Sequence, residues 1–199
     1  MIILVSGNSE IALCGAGQQF ERIPIWRATK CLAFLDNVGR IDSVSLNSGV
    51  ASPEYLAFDM PDGLAETSFE KWMLSRAVAG EPDTTGVLAF LREQESYRLV
   101  CFLLSEYPQL RSVAALAARY GVSESHFRRL GHQALGRSVK RELREWRAAW
   151  AVLDLIDGRD SLTKVAMNHG FASSSHFSRE IKDLFGMPPR RFRTVCSGH

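Results

Sequence analysis

The sequence lacks the spacings on which most small-protein chemistry is built. Its four cysteines, Cys14, Cys31, Cys101 and Cys196, are scattered with no CxxC pair, which speaks against a zinc or redox motif and for reduced thiols. No HxH or HExxH is present, so no metal site is expected. There is no nucleophile–base pair, phosphate-cradling glycine loop or catalytic carboxylate pair. No enzyme and no cofactor are therefore expected. No apolar run approaches the ~18 residues a membrane span needs. "MIILV" is apolar, but no basic stretch precedes it and Asn8 to Glu10 follow at once, so it does not read as a signal peptide. A cytoplasmic protein with no membrane partner is the expectation.

Histidine and positive charge are both scarce in the first part of the chain. Residues 1–86 hold six lysines and arginines against eleven carboxylates, net −5, and no histidine. Residues 87–199 hold eighteen against eleven, net +7, and all five histidines. Such a split points to one half that meets a polyanion and one that does not. The composition changes near "AGEPDTTG", whose glycines, proline and threonines make a poor helix. The predicted organisation is an N-terminal regulatory or partner-binding domain over 1–79, a linker over 80–86, and a basic domain over 87–199.

The basic part reads as helix throughout. Leu88, Leu91, Leu99, Phe102 and Leu103 predict a first helix with one buried stripe, closed by Pro108. Ser112 is placed to cap "SVAALAARYG", and Gly121 to end it. In "SVKRELREWRAAWAVLDLIDG", Val139, Leu143, Trp146, Trp150 and Leu153 form an apolar stripe, with Lys140, Arg141, Arg144 and Arg147 on the other face. That predicts a helix of ~20 residues, about 30 Å long, stopped by Asp157 and Gly158. In the first eighty residues, "MIILV" and "IALCGAG" suit strands, while "WRATKCLAFLDNVG" and Phe69 to Val78 suit helices. Ser52 to Glu66 reads as loop-rich.

One phrase occurs twice. "SESHFRRLGHQALG" (123–136) returns as "SSSHFSREIKDLFG" (173–186), each preceded by a short helical segment and a glycine. Ala117, Gly121, Ser125, His126, Phe127, Arg129 and Gly136 match Ala166, Gly170, Ser175, His176, Phe177, Arg179 and Gly186, and the second turn has one extra residue. Alanine and glycine permit two helices to approach closely, phenylalanine anchors the second helix, and serine and arginine face out. This is the pattern of the helix-turn-helix, whose second helix enters the DNA major groove. Two such helices reach successive grooves when held ~34 Å apart, and the long helix between the copies is a suitable spacer.

Residues 87–199 resemble the DNA-binding domain of the AraC/XylS family of bacterial transcription regulators. The resemblance is carried by "LTKVAMNHGFASSSHFSREIKDLFGMPPRRFR" (162–193), with its alanine, glycine-aromatic turn, His-Phe, late Phe-Gly and double proline. In the first copy Gly131 departs from the aromatic or aliphatic residue usual in the family. A narrower similarity, in "LAFLREQESYRLVCFLLSE", "SHFRRLGHQALG" and "ELREWR", is to the AraC-type activators of type III secretion effector genes. The resemblance implies a mainly α fold: a C-terminal all-α domain with two helix-turn-helix motifs joined by a long helix, preceded by a small α+β N-terminal domain. It implies double-stranded promoter DNA and RNA polymerase as partners, with a tetratricopeptide secretion chaperone as co-activator. Control by homodimerisation or by a small ligand, or docking of a protein in place of DNA, are the competing readings.

The DNA-contacting residues expected are Ser125, Arg128 and Arg129 in the first copy and Ser174, Ser175, Arg179 and Lys182 in the second, with Arg190 beyond it. Arginine can donate bidentately to guanine or clamp a phosphate. Ser174 and Ser175 read bases or cap a helix. Lys182, Arg190 and Arg191 contact phosphates or are solvated. Glu124 reads as plain surface, and His126 and His176 as packing or hydrogen-bonding groups.

Overall fold

The computed structural model describes residues 2–5, 24–38, 55–58, 69–109 and 112–196. Among these lie a two-stranded sheet and ten α-helices, so the fold is mainly α. They fall into two compact units, Met1–Arg137 and Ser138–His199.

In the first unit, β1 (Ile2–Val5) pairs antiparallel with β2 (Tyr55–Phe58), Ile2 opposite Phe58 and Val5 opposite Tyr55. "MIILV" thus supplies a strand, while "IALCGAG" lies outside the described residues. The second strand sits inside Ser52–Glu66, where the sequence suggested loop. A four-residue strand whose partner is fifty residues away leaves no local period to read.

The helices are α1 (Ile25–Val38), α2 (Phe69–Ala79), α3 (Thr85–Glu93), α4 (Glu95–Glu106), α5 (Val113–Tyr120) and α6 (Glu124–Leu135). Residues 80–86 contain left-handed Gly80, a 3-10 turn at Pro82–Thr84 and the start of α3. The single helix expected over Leu88–Leu103 is two helices, α3 and α4. Gln94 breaks them with an extended backbone (φ −69°, ψ 140°), and its side-chain amide donates to the Phe90 carbonyl oxygen at 3.0 Å. Residues 93–95 hold neither glycine nor proline, so no local signal marks the break.

Helix α1 packs on α2, α3, α4 and α6. Ala28, Leu32 and Ala33 are buried on it. Its polar buried groups are matched: the Thr29 hydroxyl bonds the Trp26 carbonyl oxygen (3.1 Å) and shares a hydrogen bond with Ser96 Oγ (3.0 Å). Asp36 accepts two hydrogen bonds from Arg92 (2.8 and 2.9 Å) and one from the Tyr97 hydroxyl (2.6 Å). A bidentate arginine fixes both position and angle, so this carboxylate pins α1 to α3 and α4 together.

The second unit holds α7 (Val139–Ile156), α8 (Leu162–Asn168), α9 (Ser174–Phe185) and α10 (Pro189–Cys196). Helix α7 has 18 residues, about 27 Å at 1.5 Å per residue. Of the expected stripe, Val139 and Trp146 are buried and Leu143 and Trp150 half-buried, but the face extends further. Ala148, Ala151, Val152 and Leu155 join Val165, Ala166, Phe171, Phe177 and Ile181 in one core, whereas Leu153 is 53% exposed. Small alanines let α8 and α9 come close, which an apolar-residue count overlooks.

Two matching glycines end the repeated helices left-handed, Gly136 at φ 69° and Gly186 at φ 74°. They differ in surroundings. A Cβ on Gly136 would lie 2.5 Å from the Trp26 ring, while a Cβ on Gly186 would meet nothing within 4 Å. Gly186→Ala should therefore cost about 1–2 kcal/mol for left-handed backbone alone. Gly136→Ala should cost a further 1–3 kcal/mol or so for overpacking. Urea unfolding of the two variants side by side checks the difference.

Candidate nucleic-acid interface

Both copies of the repeat fold into the same local structure. Ser112 caps α5 by accepting from Ala115 N–H, and Ser161 caps α8 by accepting from Lys164 N–H. Ala117 and Ala166 are buried at the helix crossing. The turns close alike: Val122 N–H donates to the Ala117 carbonyl oxygen (3.1 Å) and Phe171 N–H to that of Ala166 (2.9 Å). Gly121, at φ 84°, has open space where a Cβ would be. It is needed for its backbone angle, and the close approach belongs to the alanine. Ser123 then caps α6 and Ser173 caps α9, each accepting from the N–H of His126 or His176.

That last bond frees the neighbouring serines. Ser173 is the cap, so Ser174 and Ser175 stand in the first turn of α9, with Ser175 exposed. Ser125 is exposed in the first turn of α6, 3.2 Å from Ser123 Oγ. One turn on, Arg129 and Arg179 are exposed. Lys182 is exposed on the following turn of α9, and Arg190 and Arg191 are exposed on α10. Spacings of four and three put Ser175, Arg179 and Lys182 on one stripe. Arg128 is held by Glu124 in an i,i+4 ion pair on the exposed surface, so Glu124 has a partner within its own helix.

Opposite each stripe, a phenylalanine anchors the helix. Phe127 and Phe177 are fully buried. Around Phe127 the scaffold is aromatic. Phe102, Tyr120 and Phe127 meet edge to face with centroids 4.9–6.3 Å apart. The Tyr120 hydroxyl donates to Glu95 at 2.6 Å. Burial and this carboxylate hold its phenol well above the usual tyrosine range. Arg119 pairs with buried Glu106, joining α5 to α4.

Around Phe177 the scaffold is ionic. Glu180, one residue past Arg179, is buried on the inner side of α9. It pairs with Arg144 (3.0 Å), Arg147 (3.2 Å) and His176 (3.3 Å). Arg147 also lies 4.8 Å over the Phe171 ring, and Phe171 packs on Phe177 and His176. The sequence placed Arg144 and Arg147 on the basic face of α7, opposite the apolar stripe. Both neutralise a buried acid from there; Arg144 stays exposed and Arg147 is mostly covered. The i,i+4 spacing of His176 and Glu180 was the only trace of this cluster in the sequence. His169 bonds Asp154 at 2.7 Å, joining α8 to α7.

Among the described residues no group of three or more His, Cys, Asp or Glu is placed to hold a metal. No helix there is long and apolar enough to cross a membrane. Burial raises the thiol pKa of Cys31 and of Cys101.

A family model described as a helix-turn-helix domain matches residues 116–194. The chain is 38% identical over 179 residues to the invasion protein InvF of Salmonella typhimurium, covering 88% of this chain and 81% of that protein. It is 38% identical over 132 residues to the transcriptional regulator MxiE of Shigella flexneri, covering 65% of this chain and 63% of that protein. Among solved structures, it is similar to a Chromobacterium violaceum transcriptional regulator with an AraC-type DNA-binding domain. The TM-score is 0.48 and the identity 25%, over 52% of this chain and 93% of that one.

Two outcomes follow from the scaffolds. Glu180→Ala leaves Arg144 and Arg147 facing each other without a counter-charge. Both arginines reach solvent, so the loss should be about 1–3 kcal/mol, below that for a fully buried pair. Glu180→Gln should lose less, and denaturant titration ranks the two. With pKa values raised, Cys31 and Cys101 present less thiolate at neutral pH than a free thiol. Iodoacetamide should alkylate both slowly in the folded chain, at a rate that rises steeply with pH and jumps on unfolding.

Proposed function

The chain belongs to the AraC/XylS family of DNA-binding transcription activators, and on that footing we propose that α6 and α9 read promoter DNA in the major groove. One observation supports this most: the same serine–arginine stripe stands exposed on both helices, behind the same serine cap and in front of the same buried phenylalanine. Arg129 and Arg179 are the base-reading candidates, with Ser125, Ser174 and Ser175 beside them at the helix starts. Arg128, Lys182 and Arg190 serve the phosphates, which set affinity and register without reading sequence.

The regulated genes, in this reading, belong to type III secretion and virulence. The support is the similarity to an invasion protein of Salmonella and a transcriptional regulator of Shigella, together with the sequence features already quoted. Residues 1–79 then act as the regulatory part, and the occupant we propose is a tetratricopeptide secretion chaperone acting as co-activator with RNA polymerase. Such solenoids take extended or helical segments in a concave groove. Homodimerisation through the same part is the second reading. Since α1 packs on α4 and α6, deleting residues 1–79 would also strip support from the first motif. The test therefore needs the full chain. Light scattering of the full chain, alone and with chaperone, should show a complex. A stable dimer that ignores the chaperone at micromolar concentration would remove the co-activator.

About five phosphate contacts should give a log–log salt slope near −4 or steeper. A flat titration on duplex DNA would remove DNA binding as the main activity. Arg179→Ala should lose about 1–3 kcal/mol on the best site and relax preference at one base pair, while Lys182→Ala should weaken all sequences alike. Equal loss on specific and random duplexes for Arg179→Ala would reassign it to the backbone.

A further inference from the structure

On α6, Ser125, Arg129 and His132 recur at steps of four and three, which keeps them on one stripe of a helix with 3.6 residues per turn, and the left-handed C-cap Gly136 follows just past the helix end at Leu135. The stripe proposed to face DNA thus ends beside Gly136. There it does not end in open space. The Trp26 ring of α1 sits where a Gly136 side chain would begin, 2.5 Å from the Cβ position. Two cations stack on that ring, with Arg27 5.5 Å and Lys30 5.4 Å from its centroid. Arg27 is exposed and Lys30 half-buried.

The second copy shows what this adds. Its matching Gly186 has nothing within 4 Å of a Cβ position. Among the described residues the aromatic step with its two cations stands at the first copy and not at the second, and it comes from the half of the chain whose net charge is −5. Residues 1–86 hold only six lysines and arginines. Two of them stand one residue and four residues from the tryptophan that touches the reading helix.

We propose that Arg27 and Lys30 form a further DNA-backbone contact, carried by Trp26 to the C-terminal end of the α6 stripe. The ligand is the phosphodiester chain flanking the groove that α6 occupies, and the proposal rests on that placement of α6. A duplex carries one negative charge per ~1.7 Å of axis, so a helix leaving the groove meets phosphates at its far end. Stacking holds both cations against one flat surface and limits the side-chain freedom lost when they meet a phosphate. The contact reads no base. It lengthens the footprint of the first motif only.

The probe is a duplex selected by the full-length protein from a randomised pool, with a scrambled duplex beside it. Binding is titrated against salt for the full chain and for Arg27→Ala, Lys30→Ala, Arg27→Lys and Arg129→Ala. Each alanine at 27 or 30 should make the log–log slope shallower by about 1, weaken both duplexes by the same factor, and leave the melting transition in place. Arg27→Lys should retain the slope, which a packing role would not require. Hydroxyl-radical footprinting should lose protection at the outer edge of one half-site and keep it elsewhere. Unchanged slopes at 27 and 30, with Arg129→Ala still weakening the selected duplex, overturn this contact and leave the α6 reading intact. If Arg129→Ala also changes nothing, the placement of α6 falls, and this contact falls with it.

Discussion

Helices α6 and α9 each leave a serine–arginine stripe exposed. The remaining contacts have to fix each helix's position and its roll about its own axis. A roll of one residue, 100°, would turn Arg179 to where Glu180 now lies. That constraint accounts for the rest of the architecture. The caps Ser123 and Ser173 start each helix at a set residue. The buried phenylalanines set its depth. What remains is the roll, and there the two copies part company.

The first copy controls roll with shape. Phe102, Tyr120 and Phe127 interlock edge to face, and α1 adds Trp26 against Gly136. The second adds charge to its Phe171–Phe177 packing, through Glu180 between Arg144, Arg147 and His176. Aromatic contacts are insensitive to salt, whereas an ion cluster with solvent at its edge is partly screened. A roll of α9 that separated Glu180 from both arginines would leave a carboxylate buried without a partner, which is the more expensive state.

Local signals in the sequence marked the repeat, the caps at Ser112 and Ser161, the left-handed glycines and the helical body of residues 87–196, because each depends on residues within one or two turns. The features that escaped depend on distance or on context. Strand β2 exists through pairing with β1. The break at Gln94 uses a side chain common inside helices. Arg144 and Arg147 share their pattern with any solvated basic face, and only the placement of Glu180 thirty-odd residues later gives them a partner, with Arg147 mostly covered and Arg144 still exposed. Leu153 fits the apolar spacing and is exposed, because alanines let the neighbouring helices come in on the adjacent face. The candidate stripe was legible because exposed residues need no partner to be placed. Its supports were not.

Charge is distributed differently over the sequence halves and over the compact units. By sequence the chain divides into −5 and +7 at residue 86. The compact units divide it at residue 137. Met1–Arg137 then holds thirteen lysines and arginines against fifteen carboxylates, net −2, and Ser138–His199 eleven against seven, net +4. The first helix-turn-helix therefore sits in an acidic body, the second in a basic one. At the ionic strength of a cell the Debye length is about 8 Å, so distant carboxylates matter little and the cations beside the stripe matter most. On the proposed reading the two motifs meet DNA with different reserves. For the second, the whole unit is favourable. For the first, attraction has to be local, and every cation within reach of α6 counts for more than the sum over the unit suggests.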